Sequence, residues 1–143
     1  MSDANDWTWI RLVALQHVSD GALPARRRIA WGAVGLAASY GAERYSHRRT
    51  PSVVERFTLR GHLLELGAET PDHLAADVLS ETAMTAEEAA ERAATAALPR
   101  SEVKVLREHR SITAVLDAVA PLVDDADLRE RARRWVEVRA ALP

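Results

Sequence analysis

The chain has 143 residues, of which 48% are hydrophobic and 28% charged, and its formal net charge is −2. That length and balance exclude a disordered chain and fit a single domain, residues 1–143, able to bury a self-supporting core. The absence of cysteine excludes disulfides, thiolate metal sites and a cysteine nucleophile, and it agrees with a reducing, cytoplasmic setting.

The first nine residues, MSDANDWTW, lack the basic region and apolar run of a secretory signal. A first helix is expected near Asp6–Val18, stopped at Asp20-Gly21 by a left-handed glycine. Pro24 suits the first turn of a second helix, which continues to about His47. Its middle, Ile29 to Ala42, is an uncharged run of fourteen residues between Arg26-Arg27-Arg28 and a second cluster of charges. Fourteen helical residues span about 21 Å against a hydrocarbon core of about 30 Å, so the run falls short of a membrane span. A helix apolar nearly all round instead belongs inside a bundle. Gly32, Gly35 and Gly41 then allow other helices to approach closely.

Thr50-Pro51 and Gly67 bracket a third helix. It carries two apolar arcs at 100° per residue: Val53, Val54, Phe57, Gly61 and Leu64 on one, Leu59, Leu63 and Leu66 on the other. Two arcs imply packing on both sides, which places helices two and three at the centre. Thr70-Pro71 opens a fourth helix, and Thr85 with Glu88 forms a capping box for an alanine-rich fifth. Pro99 and Ser101 open a sixth, which Pro121 ends, and Asp124-Asp125 caps the last. Val105, Ile112, Leu116 and Val119 share an arc of the sixth; Leu128, Ala132, Trp135 and Leu142 share one of the last. Strand and hairpin signals are missing. The fold class expected is all-α: an irregular or orthogonal bundle of about seven helices, with the acidic 65–91 region as a mobile excursion or partner surface.

Charge is polarised along the chain. Residues 65–91 carry eight acids and no Lys or Arg, between a segment of +4 and one of +2. Opposite fields steer association. The expected partner surfaces are therefore Glu87, Glu88 and Glu91 on one side and Arg26, Arg27 and Arg28 on the other. They would meet a separate protein or a second copy of the chain.

Two other readings belong to different classes. Arg56 and His62 form an R-x5-H pattern on one helix, which resembles the R-x4-6-H of the higher eukaryotic and prokaryotic nucleotide-binding (HEPN) ribonucleases. The resemblance implies His as acid or base, and Arg stabilising charge on RNA phosphate across a dimer. With eighteen arginines and five histidines, about two such spacings arise by chance, and two occur, the other being Arg11/His17. Alternatively, Trp7, Trp9, Trp31, Tyr40 and Tyr45 could line a helical pocket for a small apolar ligand. Aromatics of this size more often fill a core.

His–carboxylate pairs at helical spacing number five, against about three expected by chance, and no HExxH occurs, so no metal is expected. Hydrolase elbows and phosphate-binding glycine loops are absent too, so no cofactor is expected. Nucleic-acid binding is disfavoured by a pI near 6.2 despite the arginines of the first half. The reading is a small cytoplasmic adaptor or regulatory subunit, without its own active site, that acts through protein–protein association.

Overall fold

The computed structural model describes residues 4–45, 52–79 and 99–141, and helix is the only regular secondary structure among them. Six helices follow in order: α1 (Ala4–Val18), α2 (Ala25–Tyr45), α3 (Ser52–Glu65), α4 (Pro71–Val78), α5 (Arg100–Val119) and α6 (Ala126–Ala140). The alanine-rich helix expected after Thr85 lies outside the described residues, as do Glu87, Glu88 and Glu91.

The uncharged run forms the axis of the bundle. Every residue from Trp31 to Ser39 is buried, and so are Gly41 and Ala42. α2 packs against α1, α3, α4 and α5, so no face of its middle is left for water. Small residues make this possible. A Cβ at Gly32 would lie 2.7 Å from Leu63 Cδ2 of α3, and one at Gly35 would lie 2.9 Å from the Ala14 Cβ of α1. At Gly41 the Trp7 ring occupies the place of a side chain. α1 contributes Trp7, Ile10, Ala14 and Val18 to the core, spaced three to four residues apart along one stripe. Ile112, Leu116 and Val119 of α5 and Leu128 and Trp135 of α6 complete it.

Helix ends follow the expected chemistry at some positions and not at others. Gly67 takes φ +95° and closes the turn after α3, where the Ala68 amide donates to Leu63 O at 2.9 Å. Asp125 caps α6 by accepting from the Asp127 amide at 2.7 Å. Thr70 stands at the N-cap of α4 with Pro71 inside the first turn, yet its hydroxyl makes no cap bond. Gly21 departs from expectation, because it does not take the left-handed conformation. α1 is stopped instead by side chains of the preceding residues. Ser19 Oγ donates back to Leu15 O at 2.8 Å, and Asp20 Oδ1 accepts from the Ala22 amide at 3.0 Å.

Polar side chains of α1 fasten three other helices. The buried Asp6 carboxylate accepts from Trp135 Nε1 at 2.8 Å and Arg134 Nη2 at 3.0 Å, and it also pairs with Arg131, all from α6. Trp7 Nε1 donates to Glu108 Oε1 of α5 at 3.1 Å. Arg11 meets Glu55 of α3 through two parallel bonds, each 2.7 Å. Among the described residues, no helix is long and apolar enough to cross a membrane.

Candidate interaction surface

α3 seats only one of its two apolar arcs. Leu59 and Leu63 are fully buried against the small residues of α2, with Leu59 Cδ2 3.3 Å from where a Gly35 Cβ would stand. The opposite arc faces solvent: Val53 is 69% exposed, Val54 75%, Phe57 77% and Leu64 58%. The periodicity is therefore as expected, but packing on both sides is not what the structure shows. The cause is the rest of the fold. α2, α4 and α1 pack against α3, and the side chains of Val53, Val54, Phe57 and Leu64 are left outside these contacts. Gly61 sits within the open arc, with nothing within 4 Å of where its Cβ would be.

Ion pairs hold α3 in this orientation and keep its charges off the outer face. Glu55 is bound by Arg11 of α1. Arg56, itself buried, pairs with Glu43 of α2 and lies 4.9 Å from the centroid of the Tyr40 ring. Arg60 bonds to Asp72 Oδ1 of α4 at 3.0 Å and contacts the Tyr40 hydroxyl, which itself donates to the same carboxylate oxygen at 2.9 Å. Burial, followed by the bond to Asp72, pushes the Tyr40 hydroxyl above its ordinary value. The hydrogen bond from Arg56 draws the Glu43 carboxyl below its ordinary value. Burial opposes ionisation of Asp72, but bonds from Arg60 and Tyr40 outweigh it, and its carboxyl is also held low. Every ionisable group on the first two turns and the centre of α3 is thus spent within the chain, leaving an apolar, uncharged outer strip with Glu65 at its end.

The residues singled out from the sequence take up different places. Arg56 and His62 are both on α3, but six residues place them about 120° apart around the helix and 9 Å apart along it. Arg56 is engaged by Glu43 and Tyr40, while His62 is half-buried on another side. Within one chain the two do not converge.

The five aromatics take up different surroundings, and among them only Trp7 and Tyr45 stack on each other. Trp7 is fully buried, stacks on Tyr45 at 6.1 Å and fills the space beside Gly41. Trp31 is buried under the His17 ring at 4.4 Å, and Trp9 lies beneath the Arg131 guanidinium at 4.8 Å. Tyr40 belongs to the α3–α4 network, and Tyr45 Oη meets Ser111 Oγ at 3.2 Å. Trp7 and Tyr45 thus pack on each other, whereas Trp9, Trp31 and Tyr40 each pack against other side chains.

At the start of α2, Arg26 and Arg27 are exposed, while Arg28 is half-buried and donates to Val18 O at 2.9 Å. Among the described residues, no group of three or more His, Asp or Glu side chains is placed to hold a metal ion.

The outer strip of α3 was open to the sequence only as one of two equal arcs. Nothing in the 3.6-residue period says which arc turns inward. The class that the fold and its surface define is an all-helical bundle presenting one uncharged, apolar helix face. No family model, curated protein or solved structure matches the chain.

Proposed function

We propose that the protein is a small non-catalytic adaptor or regulatory subunit of the cytoplasm, working through protein–protein association, with the outer face of α3 as its docking surface. The observation that carries this reading is the exposure of Val53, Val54, Phe57 and Leu64 on one arc of one helix. Together they leave on the order of 500 Å² of apolar surface open to water, the size at which patches on monomers are often functional. Single exposed apolar residues such as Val136 on α6 are ordinary by comparison. A helix face of this kind binds by laying apolar anchors at helical spacing against a groove or a second helix. The polarised charge of the chain has a separate role, steering encounter and setting its salt dependence, with Arg26, Arg27 and Arg28 and the acidic Glu87, Glu88 and Glu91 as the opposed poles.

Capture experiments with the full chain as bait test the reading. Phe57→Ser and Leu64→Ser are expected to abolish capture at every salt concentration. Charge reversal of Glu87, Glu88 and Glu91 is expected to slow association and to matter less as salt is raised. Capture that survives both α3 substitutions would remove α3 from the account.

A further inference from the structure

We infer that the partner of the α3 face is a second copy of this chain, docked antiparallel so that Phe57 of each copy lies over the partner's Gly61. The inference rests on the reading of α3 as a docking surface and names what docks there.

A two-fold pairing requires a face that complements itself. On an antiparallel pair whose axis passes at the level of Leu59, opposite that buried side chain, residues equally far on either side of position 59 meet. Phe57 and Gly61 are two away, Val54 and Leu64 five away, Val53 and Glu65 six away. The largest exposed side chain of the strip thus meets its only gap, since nothing lies within 4 Å of where a Gly61 Cβ would be. Val54 meets an apolar partner of similar reach. Knob-into-hole contacts of this kind let helix axes approach to about 8–10 Å.

Charge agrees with the same direction. Antiparallel docking brings Glu65, exposed at the C-terminal end of α3, to the partner's helix N-terminus, where the helix dipole is positive. Parallel docking would set like against like. Area agrees too. Two strips bury on the order of 1,000 Å² between them, about the lower bound for a specific interface and the size of a reversible one.

Sedimentation equilibrium of the full chain over a range of concentrations tests the inference, with wild type, Gly61→Arg and Phe57→Ser compared. Both positions are open in the single chain, so both variants are expected to keep the helical spectrum and cooperative melting of wild type. Wild type is expected to show a monomer–dimer equilibrium, with Kd raised about tenfold or more in each variant because the contact lies at the centre of the interface. A wild type that stays monomeric at every concentration would overturn the inference, and so would a dimer that neither variant weakens. The two levels of the account then separate. If the chain is monomeric yet captures a different protein through Phe57, α3 is still the docking surface and only self-pairing falls. If capture is also indifferent to Phe57, both fall.

Discussion

The ring of Trp7 occupies the space in which Gly41 would carry a side chain. Neither partner can give way. The ring is fully buried, stacked on Tyr45 and tied through Nε1 to Glu108, and the Gly41 backbone belongs to the most enclosed helix of the fold. Gly41→Ala is therefore expected to destabilise the protein by about 1–3 kcal/mol, the cost of overpacking, despite the better helix propensity of alanine. Urea unfolding measures it. A neutral or stabilising Gly41→Ala would mean that α1 and α2 are not in this register.

The N- and C-terminal helices are joined through one carboxylate. Asp6, 3% exposed, takes bonds from Trp135, Arg131 and Arg134. Removing it in Asp6→Ala strands two guanidinium groups and an indole N–H, at a cost of about 2–4 kcal/mol given that both arginines keep some contact with water. Trp135→Ala is expected to cost about 3–5 kcal/mol, as for a large core aromatic. The two losses share a contact, so the double variant should lose clearly less than their sum. Additive losses in a double-mutant cycle would contradict the shared site.

Ser39 offers the opposite sign. Its hydroxyl is fully buried in α2 and has no hydrogen-bond partner among the described residues. Ser39→Ala removes an unsatisfied polar group without opening more than a trace of space, and is expected to stabilise by about 1 kcal/mol. A loss of similar size in thermal or urea melts would show that the hydroxyl has a partner after all.

Much of this architecture is legible in the sequence, and the unreadable part has a physical cause. The enclosure of α2 follows from fourteen uncharged residues too short for a bilayer. The burial of Trp135 follows from its place on the arc of Leu128 and Ala132, and the Asp125 cap and the left-handed Gly67 follow from local chemistry. What one-dimensional pattern leaves open is the choice between equivalents. Val53-Phe57-Leu64 and Leu59-Leu63 are arcs of similar apolar character, and contacts from other helices decide which is seated: the notches at Gly32 and Gly35 and the ion pairs of Glu55, Arg56 and Arg60. Long-range side-chain bonds such as Arg11–Glu55, 44 residues apart, and Trp135–Asp6, 129 apart, leave no periodic trace. The same holds for Arg56, which reads as half of a spacing motif until Glu43 and Tyr40 are found beside it.

Acid should loosen α3 before it unfolds the core. Glu43 and Asp72 are both held below their ordinary values of 4.5 and 3.8 by Arg56 and by Arg60 with Tyr40, respectively. A depressed carboxyl contributes stability above its unfolded value, and that contribution is lost as pH falls through the folded one. Stability is thus expected to be level from neutral pH down to about 4.5 on account of these groups, and to fall below it. In the variant combining Glu43→Gln and Asp72→Asn, part of that acid limb should be missing. An acid limb identical to wild type in urea titrations across pH would show that the pairs do not hold α3.

The orientation of α3 is the claim on which the docking surface depends, and two neighbouring residues of that helix decide it. The measurement is the unfolding free energy of Phe57→Ala and Leu59→Ala in urea, each at a concentration low enough to keep the chain monomeric. Leu59 is fully buried against α2 and Phe57 is 77% exposed. Leu59→Ala is expected to cost about 2–5 kcal/mol and Phe57→Ala no more than about 0.5 kcal/mol. A Phe57→Ala variant that loses as much stability as Leu59→Ala would place the aromatic ring inside the fold and leave no apolar face on α3 for a partner to use.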